Sequence, residues 1–350
     1  MRTFKLADLS GRFSESFMEN RIEDGKGERS LAIIVPVFND WLSFTLLLPD
    51  LDKVASDLAL RVVVVVVDDG SPQGLDFSSL PVLQHITNVR MISLHCNLGH
   101  QRAIAVGLSL CVSGREFDDI LVMDCDGEDA PVDIQNLLGA RCKYPDTIVV
   151  ASRSKRSEGL LFRICYSIYK RAFRWLTGES INFGNFCLIP EPAVRRLVHM
   201  AECWNHLAAS IVKSRLPRTE VWTKRGVRYA GRSNMNLVSL VVHGCSAISV
   251  YSDTVLTRLF IVFTLTSFLA VGTCLTAIGL RLFTDKAIPG WATNVFGLSS
   301  LLFLQCVTVL TVLIFTNLSR RSSVQFIPAS QSSIFVARVT SLHPRPDENV

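Results

Sequence analysis

The stretch Arg61-Val-Val-Val-Val-Val-Val-Asp68-Asp69-Gly70-Ser71 decides the fold. Six consecutive β-branched residues cannot alternate between a buried and an exposed face, so they indicate a strand that is covered on both sides. Such strands belong to parallel sheets with helices on both faces. Ligands bind beyond the carboxyl ends of these strands, which is where Asp68 and Asp69 follow the valines. Ordinary turn chemistry or a helix cap would also explain either aspartate.

A second apolar strand ends in carboxylates in the same way. Residues 120–131 read Ile-Leu-Val-Met-Asp-Cys-Asp-Gly-Glu-Asp-Ala-Pro, which places Asp124 and Asp126 directly after the apolar run. Carboxylate oxygens are the ligands that Mg²⁺ and Mn²⁺ prefer, and the same ions bind phosphates. Asp68 and Asp69 are suited to accept hydrogen bonds from a nucleobase or ribose. The two strand ends together predict a nucleotide and metal site.

The remaining elements predict an α/β fold with a mostly parallel sheet, because strands alternate with helices along the chain. The first strand is expected to begin at Leu31. Further strands are predicted near residues 62–67, 89–94, 120–123 and 147–151, and helices near residues 41–60 and 101–112.

Two long apolar segments predict a transmembrane hairpin. Residues 259–280 and 291–318 contain no charged side chain, and each exceeds the roughly 20 residues that cross a bilayer. Their connection is too short for anything but a hairpin. Basic residues are concentrated before and after the pair, against Arg281 and Lys286 between them. This asymmetry predicts an integral membrane protein whose catalytic part is cytoplasmic.

Changes of composition divide the rest of the chain. Residues 1–30 are polar and lack the apolar core of a signal peptide. Residues 31–233 are the predicted catalytic domain, and residues 234–257 are a predicted interfacial helix that leads into the hairpin at 258–318. Residues 319–350 are rich in Ser, Pro and charge, which predicts disorder.

Charge and cysteine content restrict the partners. A net charge of +5, without a basic block, zinc spacing or aromatic RNA-binding motif, argues against a nucleic-acid partner. Attraction of basic residues to an anionic membrane surface explains this positive charge.

Residues 158–178 have a basic amphipathic pattern that fits either a membrane surface or a packed helix with a solvated basic face. Ten cysteines without a regular spacing indicate reduced thiols. A homo-oligomer is left open.

The order of the motifs resembles that of the family 2 glycosyltransferases, from about residue 31 to residue 235. Pro36-Val-Phe-Asn39-Asp40 is similar to the family's Pro-Val-Tyr-Asn-Glu, and Val67-Asp68-Asp69-Gly70-Ser71 matches its Val-Asp-Asp-Gly-Ser. Asn97-Leu98-Gly99, with Ala103 and Gly107, is similar to its Asn-x-Gly helix start. Residues 123–131 resemble the Met-Asp-Ala-Asp-Leu-Gln-x-Pro-Pro stretch of the polyprenyl-phosphate branch.

Two arginine motifs extend the resemblance to that branch. Ala151-Ser152-Arg153 with Arg156 is similar to its Gly-x-Arg and following Arg, and Arg228-Tyr-Ala-Gly231-Arg232-Ser233 matches its Arg-x-x-Gly-x-Ser. A solvated surface charge is the competing interpretation of each arginine taken alone. The sequence contains no Gln-x-x-Arg-Trp motif of the processive synthases, which favours transfer of one sugar per cycle.

The resemblance implies a GT-A domain that binds a nucleotide-diphosphate sugar and a divalent cation, Mg²⁺ or Mn²⁺. It implies the following roles: metal ligation by Asp124, Asp126 and Glu128; nucleotide-sugar binding by Pro36, Asn39, Asp68, Asp69 and Asp124; catalysis by Asp126, Arg153 and Asp129; and acceptor or phosphate binding by Arg156, Arg228 and Ser233. Glu128 differs from the branch, which has Gln at this position.

The resemblance also implies an inverting transfer of a single sugar to a polyprenyl phosphate, as in the synthesis of cell-envelope glycans. Transfer to another lipid or to a glycan hydroxyl is an open alternative, and it would need a base such as Asp129 or Glu128. An inactive, membrane-anchored nucleotide-sugar scaffold is a second alternative. A transporter is disfavoured because the two spans contain no charge. His100 and His243 are assigned no role.

Overall fold

The computed structural model describes residues 29–58, 60–114, 116–153, 160–231, 237–284 and 290–343. The chain divides into two compact units. The first contains the described residues up to 163, those of 181–250 and those from 326 onward. The second contains residues 164–180 and the described residues of 251–325.

Strands and helices alternate along most of the first unit, and the second unit is helical. In chain order the elements are β1 (Ser30–Val37), α1 (Trp41–Ser56), β2 (Arg61–Asp68), β3 (Ile86–Leu94), α2 (His100–Ser113), β4 (Asp119–Val122), α3 (Asp133–Lys143), β5 (Ile148–Arg153), α4 (Leu160–Thr177), β6 (Cys187–Pro190), α5 (Glu191–Val198), α6 (Leu207–Ser214), β7 (Arg218–Thr223), α7 (Leu237–Ser249), α8 (Ser252–Phe283), α9 (Trp291–Ser322), α10 (Pro328–Gln331) and β8 (Val336–His343). Short 3₁₀ turns lie at Phe77–Ser79, Ala201–Trp204 and Ser332–Phe335.

A single eight-stranded sheet organises the first unit, in the order β7-β5-β6-β4-β1-β2-β3-β8. β1 pairs in parallel with both β2 and β4, which places Val37 opposite Asp68. β6 is antiparallel to β4 and β5, and β8 is antiparallel to β3. The predicted α/β class with a mostly parallel sheet is confirmed. The sequence-based assignment contained the first five strands and missed β6, β7 and β8.

The valine strand is buried on both faces, as its composition predicts. Val62, Val64 and Val66 belong to the apolar cluster that contains α1 residues such as Phe44. The alternate valines, 63, 65 and 67, pack in the other cluster with α2 residues such as Ile104. Each valine from 62 to 67 is at most 3% exposed, and full burial of one such side chain stabilises the fold by about 1.5 kcal/mol.

The chain returns to this sheet after the long helices. β8 adds to the edge of β3, with Met91 opposite Thr340. Before β8, the rings of Phe326 and Phe335 pack against Trp204, with centroid distances of 4.1 and 5.4 Å. The predicted disorder is therefore wrong for residues 328–343, because backbone pairing and aromatic contacts compensate for their polar composition. Residues 1–28 and 344–350, for which disorder or a polar segment was predicted, lie outside the described residues.

The second unit is dominated by α8 and α9. Ser252–Phe283 and Trp291–Arg320 are both long and apolar enough to cross a membrane, and only 6% of the most apolar window of each helix is buried within the protein. α4 also exposes apolar side chains, with Ile168 61% and Trp175 59% exposed. The two long apolar helices are confirmed, while the membrane-surface role of residues 158–178 stays a prediction.

Candidate active site

Acidic and basic side chains converge beyond the carboxyl ends of the sheet strands. Asp124, Asp126 and Asp129 follow β4, which ends at Val122. Arg153 is the last residue of β5, and β6 lies between these two strands. Because β5 runs parallel to β7, the arginines that follow Thr223 reach the same edge. The fold thus assembles the two strand ends that the sequence singled out, together with basic residues from much later in the chain.

An ion pair between the buried Asp129 and the partly exposed Arg153 lies in the site. Arg153 Nη2 donates to Asp129 Oδ1 at 2.9 Å, and the Asp124 backbone N–H donates to Asp129 Oδ2 at 3.1 Å. Asp129 is only 4% exposed, and burial raises its pKa to about 7, with the neighbouring Asp124 charge adding to the increase. Both carboxylate oxygens of Asp129 are therefore engaged within the protein.

A segment that follows β7 covers the acidic loop. This arginine segment, residues 225–229, is fastened through its backbone, because Gly226 N donates to Glu128 O and Tyr229 N donates to Asp126 O, each at 2.9 Å. Gly127 has φ +87°, and a Cβ at this position would lie 2.7 Å from the Tyr229 ring. Only a glycine allows the two segments to approach so closely.

Arginine side chains of this segment bind the carboxylates of the loop. Arg228 Nη2 donates to Asp126 Oδ2 at 2.6 Å, and Arg225 Nη2 donates to Glu128 Oε1 at 2.5 Å. Burial raises the pKa of Asp126. Burial also opposes ionisation of Glu128, but the hydrogen bond from Arg225 and the surrounding guanidinium charges hold its pKa below the usual range.

The predicted nucleotide-binding residues have different surroundings. Asp69 is 3% exposed and accepts hydrogen bonds from Leu98 N at 2.7 Å and Gly99 N at 2.9 Å. Burial raises the pKa of Asp69. Its two oxygens hold the backbone of the 97–99 turn, so its direct contact with a nucleotide stays a prediction that the structure does not favour.

The neighbouring polar turns are joined to each other. Asp68 Oδ1 accepts from Ser71 N, and Asn39 N donates to Ser71 Oγ, both at 2.9 Å. Asn39 is exposed and has a left-handed backbone with φ 54°. Pro36 is buried within β1. Asn39 and Asp68 thus remain the better candidates for nucleotide contact, and Pro36 supports the turn from inside the sheet.

A relay of side-chain amides orients His100 beside the acidic loop. Leu207 N donates to Gln101 Oε1 at 2.8 Å, and Gln101 Nε2 donates to Asn185 Oδ1 at 3.0 Å. This orientation directs the amide nitrogen of Asn185 to His100 Nε2, 2.9 Å away. Burial opposes protonation of His100, but the negative charge of Asp124 and the charges of Asp69 and Asp129 raise the pKa of the ring.

Asp124 has an unpaired oxygen at this point. Its Oδ1 lies 3.2 Å from His100 Nε2, yet this buried atom accepts no hydrogen bond from any of the described residues. An unpaired buried carboxylate oxygen is a position that a cation or a substrate donor can satisfy.

The carboxylates fit a divalent cation in part. Asp124 and Asp126 supply the hard oxygen donors that Mg²⁺ or Mn²⁺ prefers, and such ions commonly complete their coordination with water and substrate phosphates. Within the described parts of the chain, no group of three or more His, Cys, Asp or Glu side chains is placed to hold a metal ion. Guanidinium groups contact both oxygens of Glu128, and both oxygens of Asp126 also accept hydrogen bonds, from Glu128 N and from Arg228. Metal ligation by Asp126 and Glu128 therefore stays a prediction.

Some site residues were not predicted, and others lie outside the described chain. Arg225, Gln101 and Asn185 contribute to the site, but no residue pattern distinguishes them from surface polar residues. Arg225 would have been found only by asking which charge balances the unusual Glu128. Arg156 and Ser233, predicted to bind a phosphate, are not among the described residues.

The comparisons with known proteins agree with the motifs. Residues 32–196 match the family model "Glycosyl transferase family 2". A sequence relative is the undecaprenyl-phosphate 4-deoxy-4-formamido-L-arabinose transferase of Erwinia tasmaniensis, 24% identical over 79% of this chain and 84% of the relative. A second is the uncharacterized glycosyltransferase YkoT of Bacillus subtilis, 26% identical over 69% of this chain and 74% of the relative.

Two solved structures are similar to this chain at lower sequence identity. The glucosyl-3-phosphoglycerate synthase of Mycobacterium tuberculosis, crystallised with Mn²⁺, UDP-glucose and phosphoglyceric acid, has a TM-score of 0.47 and 14% identity over 65% of this chain and 80% of its own. The mannosyl-3-phosphoglycerate synthase of Rubrobacter xylanophilus has a TM-score of 0.47 and 13% identity, over 64% and 73% of the two chains. Residues 32–196 therefore carry a family 2 glycosyltransferase domain, and both sequence relatives are transferases by name.

Proposed function

We propose that this glycosyltransferase moves a single sugar from a nucleotide-diphosphate sugar to a polyprenyl phosphate, with inversion at the anomeric carbon. Asp124 and Asp126 would hold a divalent cation, and Asn39 and Asp68 would contact the nucleotide. Arg153 and Arg228 would bind phosphate oxygens. The naming of a relative as an undecaprenyl-phosphate transferase supports the acceptor class.

The engagement of Asp129 is the observation that carries the proposal. Asp129 was the nearest candidate for a general base, yet one of its oxygens binds Arg153 and the other binds the Asp124 backbone. Glu128, the other candidate, is bound by guanidinium groups on both oxygens. An acceptor hydroxyl would need a base to remove its proton. A phosphate monoester needs none, because its second pKa of about 6 leaves the oxygen anionic near neutral pH.

The proposed reaction is a direct displacement. An acceptor phosphate oxygen attacks the anomeric carbon, and the bond from that carbon to the diphosphate oxygen breaks. The nucleoside diphosphate leaves with the electron pair. Arg153 and Arg228 stabilise the charge that develops on the departing diphosphate, since prepositioned donors favour the transition state. A bound divalent cation would add Lewis-acid stabilisation of the same charge.

We further propose that α8 and α9 anchor the enzyme as a hairpin with the catalytic domain on the cytoplasmic side. β3, before the hairpin, pairs with β8, after it. Strands of one sheet must lie on one side of a membrane, so the chain must cross an even number of times between them. The basic residues on both flanks support the cytoplasmic side.

The test is a transfer assay on purified membranes with a panel of radiolabelled nucleotide sugars and added polyprenyl phosphate, with and without a chelator. The proposal predicts label in a lipid-soluble product, dependent on polyprenyl phosphate and lost on chelation. Label transferred only to a glycan or to another lipid would show the alternative acceptor. Binding of a nucleotide sugar without transfer to any acceptor would indicate the scaffold.

A further inference from the structure

Glu128 differs from the other loop carboxylates because three guanidinium groups surround it. Its Oε1 accepts from Arg225 at 2.5 Å and lies 3.6 Å from Arg228 Nη2. Its Oε2 accepts from Arg153 at 3.3 Å. The three arginines come from the end of β5 and from the arginine segment. One carboxylate therefore joins two parts of the chain that are about 70 residues apart in sequence.

The relative burial of these groups places the carboxylate beneath the arginines. The Glu128 side chain is 14% exposed, whereas Arg153, Arg225 and Arg228 are 34%, 40% and 26% exposed. The arginine side chains thus retain accessible surface at which an anion from solution can bind. A divalent cation is disfavoured at Glu128, since it would have to displace these hydrogen bonds and approach three positive charges.

We propose that Glu128 is a positioning residue for an arginine cradle formed by Arg153, Arg225 and Arg228, and that Arg225 is a further residue that binds a phosphoryl oxyanion. This inference rests on the proposed function and deepens it. The bound anion is either the diphosphate of the donor or the phosphate monoester of the acceptor, since both present the oxygen arrangement that a guanidinium fork matches. Glu128 holds the three like charges together before the anion arrives.

The pairing also explains why this chain has Glu where the branch it resembles has Gln. A neutral side chain would leave Arg225 without a charged partner in the loop. A carboxylate at position 128 and an arginine at position 225 compensate each other. Replacing either residue alone leaves the other charge without this partner, whereas replacing both leaves two neutral side chains.

The experiment compares Glu128→Gln, Arg225→Gln and the double variant in the purified full-length protein, with Lys224→Gln as the control. Lys224 is the exposed neighbour of Arg225 in sequence. Calorimetric titrations with inorganic pyrophosphate and with farnesyl phosphate are made in the presence of a chelator. We expect each single variant to weaken binding of at least one anion five-fold or more. We expect the double variant to bind better than the poorer single variant, and Lys224→Gln to equal the wild type.

The two probes identify which substrate supplies the oxyanion. Weakening with pyrophosphate alone assigns the cradle to the donor diphosphate, and weakening with farnesyl phosphate alone assigns it to the acceptor. Unchanged binding of both anions by Arg225→Gln overturns the proposal. It is also overturned if Glu128→Gln binds both anions normally but needs at least ten-fold more Mn²⁺ for half-maximal transfer, because Glu128 is then a metal ligand. These titrations need no turnover, so they can succeed even if the proposed sugar transfer fails.

Discussion

Arg153, at the end of β5, donates a 2.9 Å hydrogen bond to Asp129, in the loop after β4, although β6 lies between the two strands. The same Asp129 carboxylate accepts the backbone N–H of Asp124. An arginine from one strand end therefore determines the conformation of the acidic loop at another. The contact joins Arg153, which is proposed to bind phosphate oxygens, to the loop whose Asp124 and Asp126 are proposed to hold the cation.

Replacement of Asp126 with Asn tests the acidic loop. The amide removes the negative charge that is proposed to bind the cation and that pairs with Arg228 at 2.6 Å. We expect sugar transfer to fall at least 100-fold, which corresponds to about 2.7 kcal/mol of transition-state stabilisation. Asp146→Asn, at an exposed position after α3, is the matched control. Undiminished transfer by Asp126→Asn would contradict the proposed role.

Replacement of Asp69 with Asn tests the structural role of this buried carboxylate. An amide can accept only one of the two backbone hydrogen bonds that Asp69 accepts from Leu98 and Gly99. We expect a loss of about 2 kcal/mol in the free energy of unfolding, from one unsatisfied buried N–H. Thermal unfolding in detergent measures it, with Asp76→Asn, in an exposed turn, as the control. Unchanged stability together with a large increase in donor KM would favour direct nucleotide contact.

Replacement of Gly127 with Ala tests the contact between the acidic loop and the arginine segment. The new methyl group would lie 2.7 Å from both the Tyr229 ring and the Val227 carbonyl oxygen, at a residue with φ +87°. We expect transfer to fall more than ten-fold, because the segment must move away and take Arg228 with it. A left-handed alanine alone costs about 1 kcal/mol. Gly74→Ala, whose Cβ would have no neighbour within 4 Å, should leave transfer unchanged.

The pH dependence of stability tests the buried His206, which pairs with the half-buried His243. His206 Nε2 lies 3.2 Å from His243 Nε2, and His206 Nδ1 caps α6 by accepting from Ala209 N. Burial, with a smaller contribution from the His243 charge, lowers the pKa of His206 to about 3 from an ordinary value of 6.5. The unfolded chain therefore binds a proton below pH 6.5 that the folded protein excludes. Stability is unaffected above this pH and decreases as the pH falls towards 3.

The histidine contribution is expected to reduce the free energy of unfolding by about 2 kcal/mol at pH 5 relative to pH 8. His206→Asn keeps a capping oxygen but cannot titrate, so its unfolding should depend less steeply on pH. Thermal unfolding in detergent at pH 5, 6.5 and 8 gives the comparison. His85→Asn, at an exposed position, should keep the pH dependence of the wild type. An identical pH dependence in His206→Asn would argue against a neutral buried His206.

Replacement of Phe335 with Ala tests the attachment of the C-terminal strand to the sheet. Phe335 stacks on Trp204 at 5.4 Å, next to Phe326. We expect the variant to lose about 2 kcal/mol of stability, since a partly buried ring and its aromatic contact are removed. Faster proteolysis within residues 326–343 should accompany the loss. Val339→Thr, at an exposed position of β8, serves as the control, and equal proteolysis of both variants would contradict the prediction.

Much of the fold could be predicted because its signals are local. The valine run, the apolar segment before Asp124 and the long uncharged stretches each identify their own structure, since periodicity and length are properties of neighbouring residues. β6 and β8 were missed for the opposite reason. Each is antiparallel to a strand far away in sequence, and no short segment contains that information.

The sequence by itself determined the buried parallel strands, the order of the motifs and the presence of acidic residues at two strand ends. The tertiary structure alone decided what each charge contacts. Asp69 accepts hydrogen bonds from the backbone of the 97–99 turn. Glu128 accepts hydrogen bonds from Arg153 and Arg225, which lie 25 and 97 residues away from it in sequence. The physical reason is that a strand pattern depends on residue type alone, whereas a carboxylate acts according to the groups that folding brings within a few ångströms.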